Sequence, residues 1–158
     1  MKKQKGFSLI ELLIVVAIIL IIAAIAIPNL IKSKMAANES SAVGSVRTIN
    51  TGEVNYAASC PAVGYSATLA ELNTGAACAG GAGIIDAVLA AGNKAGYTFA
   101  YAPAKGGDGL NDTYVQTAIP ATVGTTGQRA FCSAQDGVIH YNLAGAGCNP
   151  APGGDPNL

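Results

Sequence analysis

Hydrophobic positions fall into three regimes along the chain. From Phe7 to Ile27 every residue is apolar except Ser8 and Glu11. A helix rises about 1.5 Å per residue, so this run spans roughly 30 Å, the thickness of a bilayer's hydrocarbon core. Past Pro28 the pattern becomes one-sided: Ile31, Met35, Ala42, Val46 and Ile49 recur three, four or seven positions apart. That spacing predicts a single apolar stripe on a helix continuing to about Ala58, with Lys32, Lys34, Glu39, Arg47 and Glu53 mostly off the stripe. Pro28 has no N–H to give, which predicts a kink or a loosened turn before it. Gly44 and Gly52 each weaken the helix by about 1 kcal/mol relative to alanine. A helix from Phe7 to about Ala58 is roughly 75 Å long. No single soluble domain of this size buries such a helix, so its first half requires lipid or copies of itself.

After Ser59 the pattern breaks into short pieces. The tract to Gly96 is rich in Gly, Ala and Cys. Within it Thr68-Leu69-Ala70-Glu71 has capping-box spacing, and Ile84 to Leu89 predicts a second short helix ended by Gly92. The last section reads as strands, and Tyr97 to Tyr101 alternates. Tyr97–Tyr101 is the first, followed by a Gly-rich loop from Pro103 to Asn111. Thr113–Ile119 is the second, stopped by Pro120, and Gln128–Ser133 the third. Val138–Asn142 is the fourth, joined to the third through the hairpin signal Gln135-Asp136-Gly137. The tail after Cys148 reads as loop or disorder. The fold class is therefore α+β: a long N-terminal helix packed on a four-stranded antiparallel meander.

Charge changes the picture at the N-terminus. Lys2, Lys3 and Lys5 precede the apolar run, and the positive-inside rule keeps them cytoplasmic and sends the rest of the chain outward. The basic leader ends at Gly6, and Phe7 follows. Glu11 then places a carboxylate inside the apolar run, which costs about 2.5–3.5 kcal/mol at the centre of a spanning helix and less near an end. An ionisable group there needs a partner. In a bland reading it complements only the positive end of its own helix.

Gly6-Phe7-Ser8-Leu9-Ile10-Glu11-Leu12 resembles the type IV pilin signature, which type II secretion pseudopilins share. The resemblance rests on the first thirty or so residues; beyond them the layout is similar to the type IV pilin fold. It implies that a prepilin peptidase cuts between Gly6 and Phe7 and N-methylates the new amine. It also implies that Glu11 neutralises that amine, on its own helix or on a neighbour's. The neighbouring pairing makes Phe7 and Glu11 a register device, because a misplaced subunit leaves two charges unpaired in an apolar core. A proline at the place of Pro28 coincides, in the family, with helix that melts in the assembled filament. The implied function is a structural subunit, a major pilin, of a homo-oligomeric helical surface filament for adhesion, twitching motility or DNA uptake. The implied partners are an assembly ATPase, a platform protein and a secretin. The precursor resides as a single-pass protein in the inner membrane before it enters the extracellular pilus.

Two alternatives share these residues. A type II secretion pseudopilin carries the same motif, but two disulfides and long Gly-rich loops favour an exposed fibre. A conventional signal peptide cut after Ala26 would release a secreted soluble binding domain. The carboxylate, the length of the apolar run and Pro28 weigh against that cut.

The division that follows is 1–6 leader, 7–28 membrane or filament-core helix, 29–58 amphipathic helix, 59–96 disulfide-pinned loop, and 97–158 sheet and C-terminal loop. Removing the leader takes three of the nine basic side chains and leaves six against nine acidic ones. No basic patch predicts direct nucleic-acid binding. Four cysteines, Cys60, Cys78, Cys132 and Cys148, lie in the exported part, and an even count there implies two disulfides with three possible connectivities. The preferred pairs are Cys60–Cys78 and Cys132–Cys148, the second stapling the C-terminal loop to the third strand as in the family's disulfide-bounded region. Zinc is disfavoured, because no pair has CxxC spacing and the chain has one histidine. No cofactor, metal or catalytic residue is expected. His140 stands alone in a strand, and the loop Gly106–Asp112 lacks EF-hand spacing. Asn111-Asp112-Thr113 is a formal sequon, and Thr122, Thr125 and Thr126 are further glycan positions.

Overall fold

The first helix, α1, runs from Leu9 to Ser59 without a break at Pro28. The structure, a computed structural model, describes residues 7–76, 78, 83–151 and 154–158. The chain divides into two units, Met1–Lys34 and Met35–Leu158. In the first unit the described residues are α1 as far as Lys34 and the two residues before it, and apart from half-buried Ala23 all of them are exposed. Pro28 withholds the N–H that would have bonded the Ala24 carbonyl, and the helix continues past that missing bond.

In the second unit, α1 from Met35 onward buries one face made of Glu39, Ala42, Ser45, Val46, Ile49, Gly52, Glu53 and Tyr56. These recur three or four apart, the pitch of one helix side. Glu39 and Glu53 therefore lie on the buried stripe, contrary to the reading that put them off it. The stripe was counted from apolar residues alone, and here its two carboxylates are hydrogen-bonded inside. Gly52 has a packing reason: a Cβ there would stand 2.9 Å from Ile84 Cγ2.

Two one-turn helices follow. α2 spans Glu71–Thr74 and stops at Gly75, whose φ is +64°. Its capping differs from the expected box. Ala70, not Thr68, is the N-cap, and the Glu71 carboxylate accepts from the Ala67 N–H at 2.8 Å. α3 spans Ala87–Ala90, and Asp86 caps it by accepting from the Leu89 N–H at 2.9 Å.

The sheet has five strands in sequence order: β1 Asn93–Lys94, β2 Tyr97–Lys105, β3 Asn111–Pro120, β4 Ala130–Ala134 and β5 Ile139–Asn142. All neighbours pair antiparallel. The four expected strands form the meander, and the two-residue β1 adds a fifth. β2 continues through Pro103 where a loop was expected. The Phe99 N–H faces the β1 side, bonding Gly92 O at 2.7 Å. Alternation then puts the missing Pro103 N–H on the same open edge, where a strand tolerates proline. β4 starts two residues later than expected, because the Gln128 and Arg129 N–H groups bond Glu39. Between helix and sheet lie Val46, Ile49, Tyr56, Leu72, Leu89, Tyr97, Phe99 and Phe131. Each large apolar side chain so buried contributes about 1.5–3 kcal/mol.

The C-terminal tail is docked, not loose, over its described residues. Tyr141 N–H donates to Pro156 O at 2.9 Å and Leu158 N–H to Ile139 O at 2.7 Å.

Candidate functional site: the apolar N-terminal helix

Among the described residues the longest run of exposed apolar side chains is the start of α1. Leu9, Ile10, Leu12, Leu13, Ile14 and Val15 are all exposed, and so are most apolar residues up to Ile31. Soluble monomers rarely leave a contiguous apolar patch of more than a few hundred Å² open. α1 contains a window long and apolar enough to cross a membrane, and none of that window is buried.

Phe7, 84% exposed, stands just ahead of this surface. Glu11 Oε2 accepts from the Ser8 N–H at 2.9 Å, and Ser8 O accepts the helical bond from Leu12 N at 3.3 Å. Ser8 immediately precedes α1, so Ser8-Leu9-Ile10-Glu11 has the spacing of a capping box, with the carboxylate reaching back to a free N–H. The serine three residues before the glutamate is a signal the sequence reading passed over. The carboxylate also sits at the positive end of the helix dipole. A cut after Gly6 would leave the Phe7–Ser8 peptide intact, so this contact persists in a processed chain. Glu11 would then have its other oxygen free for an amine. Among the described residues no cation lies within 4 Å of it. Gly6 and the rest of the leader lie outside the described residues.

The remaining candidate residues lie in the second unit. Cys60 and Cys78 are bonded, with Cα atoms 5.9 Å apart, tying the end of α1 to the loop. Cys132 and Cys148 are bonded, with Cα atoms 5.6 Å apart, tying β4 to the C-terminal segment. Cys132, Cys148 and Asp155 come within metal-ligand reach of one another, but both sulfurs are spent in the disulfide and offer no thiolate. His140 is buried, its Nδ1 2.6 Å from Asp155 O. A carbonyl only accepts, so Nδ1 carries the proton. The sequon Asn111 is buried, its Nδ2 donating to Tyr65 O at 2.8 Å, which withdraws it from a glycan-transferring enzyme.

Two buried carboxylates were missed as polar anchors. Glu39 Oε1 accepts from Gln128 N–H at 2.8 Å and Arg129 N–H at 3.1 Å, while Oε2 meets Arg129 Nη2 at 2.8 Å. Burial alone pushes its pKa up, but these hydrogen bonds and the guanidinium outweigh burial and hold it below the usual carboxylate value. Glu53 is fully buried and accepts from Ser66 N–H at 2.9 Å and Ser66 Oγ–H at 2.6 Å. With no cation among its contacts, burial pushes its pKa up against those hydrogen bonds. Both fall on the three-and-four spacing of the buried face, and that spacing was the available signal.

A family model described as the prokaryotic N-terminal methylation motif matches residues 1–27. The chain is 46% identical over 54 residues to the "Type IV major pilin protein PilA" of Myxococcus xanthus, covering 34% of this chain and 24% of that one. It is 58% identical over 40 residues to the "Type IV wide pilus major component PilA4" of Thermus thermophilus, covering 25% of this chain and 30% of that one. Over this segment the chain is similar to type IV major pilins. The matches span under a third of either relative's length. No solved structure matches the chain. Its motif ends at Ile27, one residue before Pro28, and so takes in the exposed apolar run and Glu11.

Proposed function

We propose that this protein is the structural subunit, a major pilin, of a type IV pilus, acting by polymerisation and not by catalysis. The observation that carries this reading is the exposed apolar start of α1 with one carboxylate at its first turn. Such a surface requires lipid before assembly and other helices after it. The methylation motif and the relatives named as major pilins support the same reading. A membrane peptidase cleaves after Gly6 and methylates the Phe7 amine. Glu11 of one subunit pairs with the Phe7 amine of another and sets axial register, since the alternative is two unpaired charges in an apolar core. The helix before Pro28, already short of one backbone bond, is the segment that melts on assembly. An assembly ATPase, a platform protein and a secretin move subunits from the inner membrane to the surface filament. Residues 29–58 carry the exported part, which the disulfides at Cys60–Cys78 and Cys132–Cys148 harden for exposure.

The test is N-terminal and intact mass spectrometry of material sheared from the cell surface. Chains starting at N-methylated Phe7 are expected. Chains starting at Ile27 would mean a conventional signal peptide and remove the filament reading.

A further inference from the structure

The apolar stretch of α1 is followed by a pair of cations. From Phe7 to Lys34 the charged side chains are Glu11, Lys32 and Lys34. Both lysines are exposed, and among the described residues neither has a carboxylate within 4 Å. The next carboxylate along the chain, Glu39, is taken by Arg129. Leu30 and Ile31, just ahead of the pair, are exposed as well. Lys32 stands 25 positions after Phe7, roughly 37 Å along a helix. The hydrocarbon core takes about 30 Å of that length, and a headgroup layer adds about 5–7 Å on each side. With Phe7 at one hydrocarbon boundary, Lys32 falls in the opposite headgroup layer and Lys34 at its outer margin. The two lysines are two positions apart, about 200° around the helix, so they leave it on opposite sides.

We propose that Lys32 and Lys34 form a lipid clamp, their ammonium groups binding the phosphates of anionic phospholipids in the leaflet on the exported side. This deepens the reading that α1 spans a membrane before assembly, and rests on it. A lysine at this depth lays its alkyl stem along apolar surface, here beside Leu30 and Ile31, and keeps its charged head among the headgroups. Each lysine near an anionic surface is worth about fivefold in association. The leader's Lys2, Lys3 and Lys5 lie at the other end of the apolar run, and a cut after Gly6 removes them. Lys32 and Lys34 are then the only lysines from Phe7 to Lys34. The clamp fixes how deep the processed helix sits and resists its withdrawal from the bilayer until neighbouring helices replace the lipid.

The test places the full chain in phosphocholine detergent micelles and titrates it with a short-chain phosphatidylglycerol, reading the amide signals of Ile31 and Ser33. Saturable association is expected. Lys32→Gln and Lys34→Gln are each expected to weaken it about fivefold, and the double variant about twenty-five-fold. Replacing Lys2, Lys3 and Lys5 by glutamine is expected to leave the association at Ser33 unchanged. Inorganic phosphate at the same concentrations is expected to move neither signal. Undiminished association in the double variant would overturn the clamp. Inorganic phosphate binding as tightly as the phospholipid would overturn the lipid as its occupant. Amide exchange from Leu12 to Ile22 in the same micelles tests the membrane reading separately. Slow exchange there, with no phosphatidylglycerol association at Ser33, would overturn the clamp alone. Fast exchange there would remove the membrane segment, and the clamp with it.

Discussion

Glu39 and Arg129 lie 90 positions apart and meet where the buried face of α1 reaches the start of β4. The glutamate takes both the guanidinium and two backbone N–H groups, so it serves as a helix-borne cap for the strand entry. Arg129 also lies over Phe131, 5.5 Å from the ring centroid. The two halves of the contact are unequal. The Glu39 side chain is 11% exposed and that of Arg129 38%. Glu39→Ala strips partners from the Gln128 and Arg129 amides together with the guanidinium, and is expected to cost about 2–3 kcal/mol. Arg129→Ala leaves the amide bonds in place and removes a solvent-screened pair, so it is expected to cost about 1 kcal/mol. Urea unfolding of both variants in detergent checks the order, and equal losses would mean that the ion pair dominates.

Glu39 and Glu53 give opposite pH dependence. The folded pKa of Glu39 lies below its ordinary 4.5. Its contribution is therefore complete above that value and is lost as pH falls through the lowered folded pKa. The folded pKa of Glu53 lies above 4.5. Its contribution is complete below 4.5 and is lost as pH rises through the raised folded pKa. Glu53→Gln keeps a group able to bond Ser66 and removes the buried charge, so it is expected to flatten the decline on the rising side. Glu39→Gln is expected to flatten the decline on the acid side. Unfolding free energies measured from about pH 3 to 8 for the three chains decide this, and parallel curves would remove both assignments.

How far these features could be read in advance follows from what each leaves in the residue pattern. The part of the long helix past Met35 and the start of β2 bury one regular face, and a regular face repeats in the sequence. β1 is too short to repeat anything. Glu39 and Glu53 occupy stripe positions but carry polar side chains, and a stripe drawn through apolar residues steps over them. The docking of Pro156–Leu158 uses backbone groups and one aspartate, which impose no periodicity on a tail of Pro, Gly and Asn. At the apolar helix the Ser8–Glu11 cap was present in the spacing. Its place in the first turn was part of the reading of Glu11 as a complement to its own helix end, and Ser8 three residues before it supplies the rest of the cap.

The two glycines inside the second unit's helix are expected to answer differently to one methyl group. A Cβ at Gly44 meets nothing within 4 Å, whereas at Gly52 it meets Ile84 Cγ2 at 2.9 Å. Gly44→Ala is expected to raise stability by up to about 1 kcal/mol through helix propensity. Gly52→Ala gains the same propensity but must push Ile84 aside, and is expected to lose about 1 kcal/mol net. Thermal melts of both variants test the pair, and a stabilised Gly52→Ala would mean that Ile84 yields freely.

The role of Glu11 separates cleanly with two substitutions in place of one. Glutamine at position 11 can still accept from the Ser8 N–H, as a capping box allows, but carries no charge. Alanine loses both. The cap alone is worth about 1 kcal/mol at an exposed helix end, and the folded second unit does not depend on it. If Glu11 is the counter-charge of the Phe7 amine, leaving that amine unpaired in an apolar core costs about 3–5 kcal/mol, a loss of at least a hundredfold in each subunit addition at about 1.4 kcal/mol per tenfold. If Glu11 sets register through its charge, Glu11→Gln and Glu11→Ala both give inserted, processed chains with unchanged melting of the exported unit and almost no sheared filament. If it acts only as a cap, Glu11→Gln assembles normally and Glu11→Ala falls modestly. Quantifying sheared filament against total processed subunit for both variants decides between the two. Normal yield from the glutamine variant would remove the charge pairing and leave helix capping as the function of this carboxylate.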